Sequence, residues 1–154
     1  MQYLLWLWCN ANLLWCKNHD SGENVWMRLP DMHCPRAQPA VAGLGGRLYV
    51  MGGRNSKKVE LKSVEVYDPE TETWTLEDTG GLCKKRWASA SVPFRNDENL
   101  LVIGGRGKWA SNSVEVFSPS TSQWTLALHG LRGQDKRYTA CLVTRPGDGW
   151  TCPH

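Results

Sequence analysis

Two short basic segments carry the side chains best suited to recognition chemistry. Each begins with an arginine that directly follows a pair of glycines. The first segment contains Arg54, Asn55, Lys57, Lys58 and Lys62, and the second contains Arg106, Lys108 and Trp109. A guanidinium holds a carboxylate through two parallel hydrogen bonds, and tryptophan and arginine are frequent anchors of protein interfaces. The segments therefore favour a protein partner with acidic side chains, and the alternative is a solvated basic surface that has no partner.

Catalytic and metal-binding patterns are missing from the sequence. The four histidines have no common spacing, no Gly-x-Ser-x-Gly motif occurs, and no acidic pair stands apart from the surface turns. The six cysteines are spaced widely and irregularly without a Cys-x-x-Cys pair, which indicates free thiols. The nearest approximations to a zinc-binding pair are His33 beside Cys34 and Cys152 near His154. We therefore expect no enzymatic activity, no cofactor and no metal.

The paired glycines themselves invite a comparison with phosphate-binding loops. Gly52 and Gly53, like Gly104 and Gly105, lack the Gly-x-Gly-x-x-Gly spacing and a following helix, whose N-terminus would hold the phosphate. Glycine also permits a positive φ and a close approach of two backbone segments. We therefore predict a structural role for these pairs.

Length and charge place further limits on the function. The chain has 154 residues, of which 18 are Lys or Arg and 15 are Asp or Glu, so its net charge is +3. That excess is well below the concentrated basic surface of nucleic-acid-binding proteins. The apolar run from Tyr3 to Cys9 is shorter than the roughly 20 residues of a membrane-spanning helix and has no basic start. We expect a cytoplasmic protein that binds neither membrane nor nucleic acid, with secretion as the alternative.

The sequence repeats itself with a period of about 50 residues. The glycine pair at 52 and 53 recurs at 104 and 105, and Tyr67 and Trp74 recur as Phe117 and Trp124. In both copies the tryptophan lies seven residues after the other aromatic residue. Arginine also recurs at this period, as Arg36, Arg86 and Arg137. Recurrence in every copy favours a structural role for these arginines over partner binding, because a partner seldom contacts each repeat in the same way.

Each copy contains short runs with the two-residue alternation of β-strands. Residues 47–51 and 99–103 are mostly apolar and are followed by the glycine pairs. Residues 63–69 and 113–119 alternate and end with a proline, which has no N–H for pairing. Residues 74–76 and 124–126 begin the outermost strands, and residues 88–92 predict a strand of small residues near the axis on which the copies converge. Together with nine Trp, 15 Gly and eight Pro, this pattern predicts an all-β fold with four strands per copy.

The arrangement resembles the Kelch family. The resemblance rests on a double glycine after a hydrophobic strand, an aromatic residue about a dozen positions later and a tryptophan seven beyond it. Residues 68–74, Asp-Pro-Glu-Thr-Glu-Thr-Trp, are close to the sequence that the family usually has at the turn before this tryptophan. The resemblance implies an incomplete Kelch β-propeller of four-stranded antiparallel blades. Since propellers close with about four to eight blades, we expect a truncated member whose open blade edges favour self-association.

The resemblance also divides the chain. It leaves residues 1–23 outside the repeat as an apolar segment and covers residues 24–144. Within that region we expect the last strand of a preceding blade at 24–30, complete blades at 36–79 and 86–128, the first strand of a following blade at 137–144, and an irregular tail at 145–154.

What the resemblance implies about function is recognition of a protein through propeller loops. In Kelch propellers the loop after the double glycine contributes to the partner-binding face, which in this chain contains the two basic segments. The expected context is substrate recognition as part of an adaptor of a cullin ubiquitin ligase. An actin-associated or scaffolding protein and an extracellular propeller remain the alternatives.

Overall fold

The structure, a computed structural model, describes residues 6–7, 14–18, 25–77, 80–94, 98–108, 110 and 112–129. The described part of the chain consists of eleven strands and contains no helix, so it has no helix long and apolar enough to cross a membrane. The strands are β1 (Trp6–Leu7), β2 (Leu14–Asn18), β3 (Val25–Arg28), β4 (Ala40–Leu44), β5 (Arg47–Met51), β6 (Val64–Asp68), β7 (Thr73–Leu76), β8 (Ala90–Phe94), β9 (Asn99–Ile103), β10 (Ser113–Ser118) and β11 (Gln123–His129).

These strands form three antiparallel sheets. Two sheets have four strands in sequential order, β4-β5-β6-β7 and β8-β9-β10-β11, and we call them the first and second blades. The third sheet has the order β1-β2-β3. The predicted all-β fold with four-stranded antiparallel blades is confirmed. The strand predicted at 88–92 begins at Ala90 instead, because Ala88 has a φ of 50°, which extended strands do not adopt.

The N-terminal region contains two strands that the sequence pattern did not predict. Residues 1–23 contribute β1 and β2, and β2 pairs with β3 over four positions from Trp15–Arg28 to Asn18–Val25. These strands lack the double glycine, and the aromatic residues that pair across them, Trp6 and Trp15, are nine residues apart instead of seven, so the repeat does not reveal them. The following strand expected at 137–144 lies outside the described residues.

The seven-residue spacing of the aromatic residues has a direct structural cause. A tight turn joins β6 to β7, which places Tyr67 directly opposite Trp74 in the ladder, with ring centroids 5.2 Å apart. Phe117 and Trp124 pair in the same way across β10 and β11, at 5.1 Å. Cross-strand aromatic pairs of this kind stabilise a hairpin beyond the area they bury. All four residues are buried, as the sequence predicts for residues of the blade core.

Alternate residues along each strand divide between two apolar layers. Leu48, Val50, Tyr67 and Trp74 face the segment that follows β3, where Leu29 and Met32 are buried. The opposite side of the first blade meets the second blade in a continuous core that includes Met51, Val66, Leu82, Leu100 and Trp124. The first blade is therefore covered on both faces, and the inner strands β4 and β8 are in contact with each other.

Candidate functional site

The two basic segments lie at the same edge of the two blades. We call this edge the loop edge: it comprises the described parts of residues 52–63, 77–89 and 104–112, which join β5 to β6, β7 to β8 and β9 to β10. The connection between the blades holds the loops together, since Gly53 N donates to the carbonyl oxygen of Arg86 at 2.8 Å and Ala88 N donates to that of Gln38 at 2.8 Å. The loop edge is thus one surface built from both blades.

Buried arginines tie the bases of these loops. Arg36 donates from Nη1 to the carbonyl oxygens of Gly52 and Ser63, at 3.0 and 2.7 Å, which are the two ends of the first loop. Arg86 does the same in the second blade, from Nη1 to the carbonyl oxygens of Gly104 and Ser113 at 2.9 and 3.4 Å. Both guanidiniums also bind a buried glutamate, and both side chains are fully buried. They are inaccessible to a partner, whereas Arg137 lies outside the described residues.

The buried glutamates were not singled out by sequence reasoning. Glu65 and Glu115 lie in β6 and β10, and each carboxylate also accepts a hydrogen bond from two backbone N–H groups of the preceding connection: His33 and Cys34 for Glu65, and Cys83 and Lys84 for Glu115. The available signal was a charged residue between two valines, repeated 50 positions apart. Glu65 and Glu115 are 50 residues apart, as are Arg36 and Arg86, so the sequence suggests one arginine–glutamate pair in each blade.

The paired glycines allow the backbone to approach closely at the loop bases. Gly53 and Gly105 have φ values of 92° and 94°, in the region that L-residues rarely adopt. A Cβ on Gly105 would lie 2.8 Å from both the Trp87 carbonyl oxygen and the Ser89 side chain. At Gly52, with φ of 65°, it would clash with the carbonyl oxygen of Arg86. The geometry is that of a structural glycine, and no helix N-terminus for a phosphate accompanies it in the described residues.

Asn55 gives the first basic loop a defined shape. Its side-chain Oδ1 accepts from Lys57 N and Val59 N at 3.0 and 2.9 Å, and its carbonyl oxygen accepts from Lys58 N at 2.9 Å. Lys58 has a φ of 60°, which closes the turn. The side chains of Lys57 and Lys58 are exposed at its tip. Asn55 therefore shapes the loop through its side chain, leaving the lysines to face solvent.

The centre of the loop edge is Trp87, a residue that the sequence pattern does not mark. The guanidinium carbon of Arg54 lies 4.0 Å from the Trp87 ring centroid, and that of Arg106 lies 5.1 Å from it. The indole Nε1 donates to Glu60 Oε1 at 3.3 Å. Ala37 occupies the equivalent position of the first blade, so the repeat gives no hint of an aromatic group here. A feature that differs between the copies becomes visible only in the contacts between blades.

The remaining predicted site residues are spread along the same edge. Lys62 is exposed, and its carbonyl oxygen accepts from Leu82 N at 2.8 Å, which places it beside the interblade connection. Lys108 is exposed and Arg106 is exposed as well, while Trp109 lies outside the described residues. Lys84 and Lys85 add further cations from the interblade connection. Among the described residues of the loop edge the acids are Glu60 and Glu77, so basic groups predominate.

The described residues include a thiol with a raised pKa and two clefts, and they include no cluster of metal-ligating side chains. No group of three or more His, Cys, Asp or Glu residues that could hold a metal occurs within the described ranges. Partial burial raises the pKa of the Cys83 thiol above its ordinary value of 9.0, and the nearby Glu115 carboxylate raises it further. The cavity beside Arg54 and Asn55 is small, about 50 Å³, whereas a cleft of about 720 Å³ lies at the opposite edge between the turns around Asp68 and Ser118. The loop edge is thus an open, basic surface rather than a pocket.

Comparisons with known proteins agree with this architecture. A family model described as the Kelch motif matches residues 35–77 and 96–127. An F-box/kelch-repeat protein of Arabidopsis thaliana is 40% identical over 88 residues, which are 57% of this chain and 22% of that protein. Kelch-like protein 21 of Bos taurus is 36% identical over 86 residues, which are 55% of this chain and 14% of the relative. The chain thus spans less than a quarter of these relatives.

A solved structure shares the fold. The structure of YjhT aligns with 78% of this chain and 45% of its own chain, with a TM-score of 0.64 at 19% sequence identity. At that identity the likeness concerns the fold alone.

Proposed function

We infer that this chain, as a member of the Kelch-repeat proteins, acts as a protein-interaction module that binds its partner at the loop edge. The observation that carries this proposal is the convergence of Arg54 and Arg106 on Trp87, since it brings a cation from each blade into one partly exposed surface. Within the described residues neither guanidinium forms an ion pair with a carboxylate. Arginine and tryptophan also dominate the energetics of many protein interfaces.

The chemistry of the surface selects an acidic partner. Lys57 and Lys58 extend the positive surface from the first loop, and Lys62 and Lys108 continue it on either side. A carboxylate gains two charge-assisted hydrogen bonds from each guanidinium that it meets edge-on. We therefore propose a partner segment with acidic side chains as the ligand.

A binding experiment with a defined probe tests this proposal. Fluorescently labelled hexaglutamate is titrated with the chain at low salt, hexaglutamine serves as the uncharged control, and anisotropy reports the bound fraction. We expect binding of hexaglutamate that weakens with added salt and falls about tenfold or more in the Arg54→Ala/Arg106→Ala variant. Arg47→Ala is the matched control, because Arg47 lies at the opposite edge and pairs with Asp68 at 3.0 Å. Equal affinity of the double variant and the parent would refute the assignment of this surface.

We further propose that the cellular context is substrate recognition as part of a cullin ubiquitin ligase adaptor in the cytoplasm. The F-box/kelch-repeat and Kelch-like names of the relatives support this context. Reading the full transcript tests it: an F-box or BTB region in the same frame as the repeats, together with cullin binding by the full-length protein, is the expected result. A full-length protein without either region contradicts the proposal.

Self-association is the remaining part of the proposal. Phe94 and Leu128 of the second blade are 41% and 58% exposed, and β11 pairs with β10 alone among the described strands. Exposed apolar groups and an unpaired strand edge both favour contact with a second copy. Light scattering coupled to size-exclusion chromatography tests this, with a defined oligomer as the expected result. A monomer at micromolar concentration would refute it.

A further inference from the structure

The loop edge contains one side chain that touches both partner-binding arginines. Trp87 lies in the connection between the blades and forms an antiparallel bridge with Arg106, with Trp87 N donating to the Arg106 carbonyl oxygen at 2.9 Å and Arg106 N donating back at 2.7 Å. Arg54 comes from the first blade and reaches the same ring. Because both distances run to one centroid, the two guanidinium carbons lie no more than about 9 Å apart.

The orientation of the indole is itself fixed. Its Nε1 donates to Glu60 Oε1 at 3.3 Å, and Glu60 is held in turn by a backbone bridge to Arg54. The carboxylate of Glu60 therefore engages the indole, and within the described residues it forms no ion pair with either arginine. The acid that lies nearest to the site orients the ring and does not occupy the guanidiniums.

Stacking on Trp87 is compatible with binding an anion. A guanidinium that rests against an aromatic face through its own flat face keeps its N–H donors, which lie in the plane of the group, at the rim. At Arg54 the Nε is buried without a hydrogen-bond partner among the described residues, so this donor does not face a ligand at the surface. A stacked arginine has also lost most of its rotamer freedom before a ligand arrives, so less entropy remains to be lost on binding. Two arginines held on one ring thus present their donors in a constant relative arrangement.

We infer that Trp87 is a positioning and specificity-determining residue: its indole, oriented by Glu60, holds Arg54 and Arg106 as one binding unit for carboxylate groups. The carboxylate ligand rests on the proposed function, whereas the ordering of the two arginines by Trp87 does not depend on it. Lysine in place of either arginine keeps the charge but lacks the flat face and the fixed fork of donors. The surface accordingly favours carboxylates, which a guanidinium can hold through two hydrogen bonds, over negative charge in general.

The first experiment measures the ordering of the arginines without any ligand. Nitrogen-15 relaxation of the arginine Nε–Hε groups, with the ring-current shifts of the neighbouring Hδ protons, is recorded for the parent, Trp87→Phe and Trp87→Leu. We expect restricted Nε–Hε motion and upfield Hδ shifts for Arg54 and Arg106 in the parent. Trp87→Phe should retain most of both effects, and Trp87→Leu should lose both. The Arg47 side chain, at the opposite edge, serves as the internal control for an intact fold. Unchanged arginine mobility in Trp87→Leu would overturn the inference.

The second experiment asks whether Trp87 acts through the arginines. Hexaglutamate affinity is measured for Trp87→Leu in the parent and in the Arg54→Ala/Arg106→Ala background. We expect the substitution to weaken binding about tenfold in the parent and to change it less than twofold once both arginines are absent. Trp87→Phe should retain most of the affinity, because its aromatic face can still pack against the arginines. If Trp87 contributed only apolar area, Trp87→Leu would bind equally well. An equal loss in both backgrounds would show that Trp87 does not act by positioning the arginines.

The two experiments separate this inference from the proposed function. If the parent fails to bind hexaglutamate while the arginines lose order in Trp87→Leu, the acidic ligand is refuted and the positioning role of Trp87 stands. If hexaglutamate binds and the arginines keep their order without Trp87, the proposed function stands and the inference fails.

Discussion

The guanidinium of Arg36 donates to a single oxygen of Glu65, from Nε at 3.2 Å and from Nη2 at 2.9 Å, and both side chains are fully buried. A charge in this position needs several partners, because the interior offers no water. Glu65 meets this need with the backbone N–H groups of His33 and Cys34, and Arg36 with two carbonyl oxygens of the loop base. The pair thus links strand β6, the preceding connection and the first basic loop.

Breaking this ion pair from one side is predicted to be strongly destabilising. We expect Glu65→Gln to lower the free energy of unfolding by about 3–5 kcal/mol, since it leaves the Arg36 charge buried without a counter-charge. Glu70→Gln in the exposed turn between β6 and β7 is the matched control and should change it by less than about 0.5 kcal/mol. Urea denaturation followed by tryptophan fluorescence measures both, and similar midpoints for the two variants would contradict the prediction.

The two core tryptophans are predicted to respond differently to the loss of their N–H group. Trp74 Nε1 donates to the Pro30 carbonyl oxygen at 2.8 Å, whereas Trp124 Nε1 is buried without a hydrogen-bond partner among the described residues. Both Trp→Phe changes remove apolar area, but only Trp74→Phe also breaks a hydrogen bond. We expect Trp74→Phe to destabilise the fold by about 1 kcal/mol more than Trp124→Phe.

Replacing either tryptophan by alanine gives the reference for that comparison. We expect a loss of about 3–5 kcal/mol for Trp74→Ala and for Trp124→Ala, because each ring is more than nine-tenths buried. Chemical denaturation measures all four variants. A Trp124→Ala variant as stable as the parent would refute its place in the core.

Glycine substitutions are predicted to separate backbone strain from steric conflict. Gly80 and Gly105 both have positive φ, 83° and 94°, but an added Cβ meets nothing within 4 Å at Gly80 and lies 2.8 Å from the Trp87 carbonyl oxygen at Gly105. We expect Gly80→Ala to cost about 1–2 kcal/mol from strain alone and Gly105→Ala to cost more. Thermal unfolding of the two variants decides this, and equal losses would mean that the blade relaxes around the new methyl group.

Cys83 is predicted to react slowly as a thiolate near neutral pH. Its pKa is raised by burial and then by Glu115, so the thiol keeps its proton to higher pH in the folded chain than in the unfolded chain. Folding stability is therefore unaffected by this group well below pH 9 and decreases as the pH rises above it. We expect slower iodoacetamide alkylation of Cys83 in the folded chain than in urea at pH 8, measured by mass spectrometry of its peptide. Faster alkylation in the folded chain would contradict the raised pKa. Cys83→Ser should also reduce the loss of folding stability at alkaline pH, because the variant lacks the titrating thiol.

Much of the blade architecture was predictable because it rests on local signals. The ladder that places Tyr67 opposite Trp74 follows from a tight turn and two-residue alternation, both of which are written in contiguous residues. The glycine pairs were predictable for the same reason, since only glycine tolerates their φ values at a crowded site. The basic loops were located by their position after those glycines.

The tertiary structure decided which of these residues share a surface and which are buried. Sequence alone determined the repeated strands, the aromatic pairs and the arginines at equal spacing, because repetition compares equivalent positions along the chain. It did not determine that Arg36 binds Glu65, that β1 and β2 complete a sheet with β3, or that Trp87 contacts an arginine from each blade. The equal spacing of the arginines and of the glutamates is compatible with the first of these contacts, but each contact forms only when segments far apart in the sequence fold against one another.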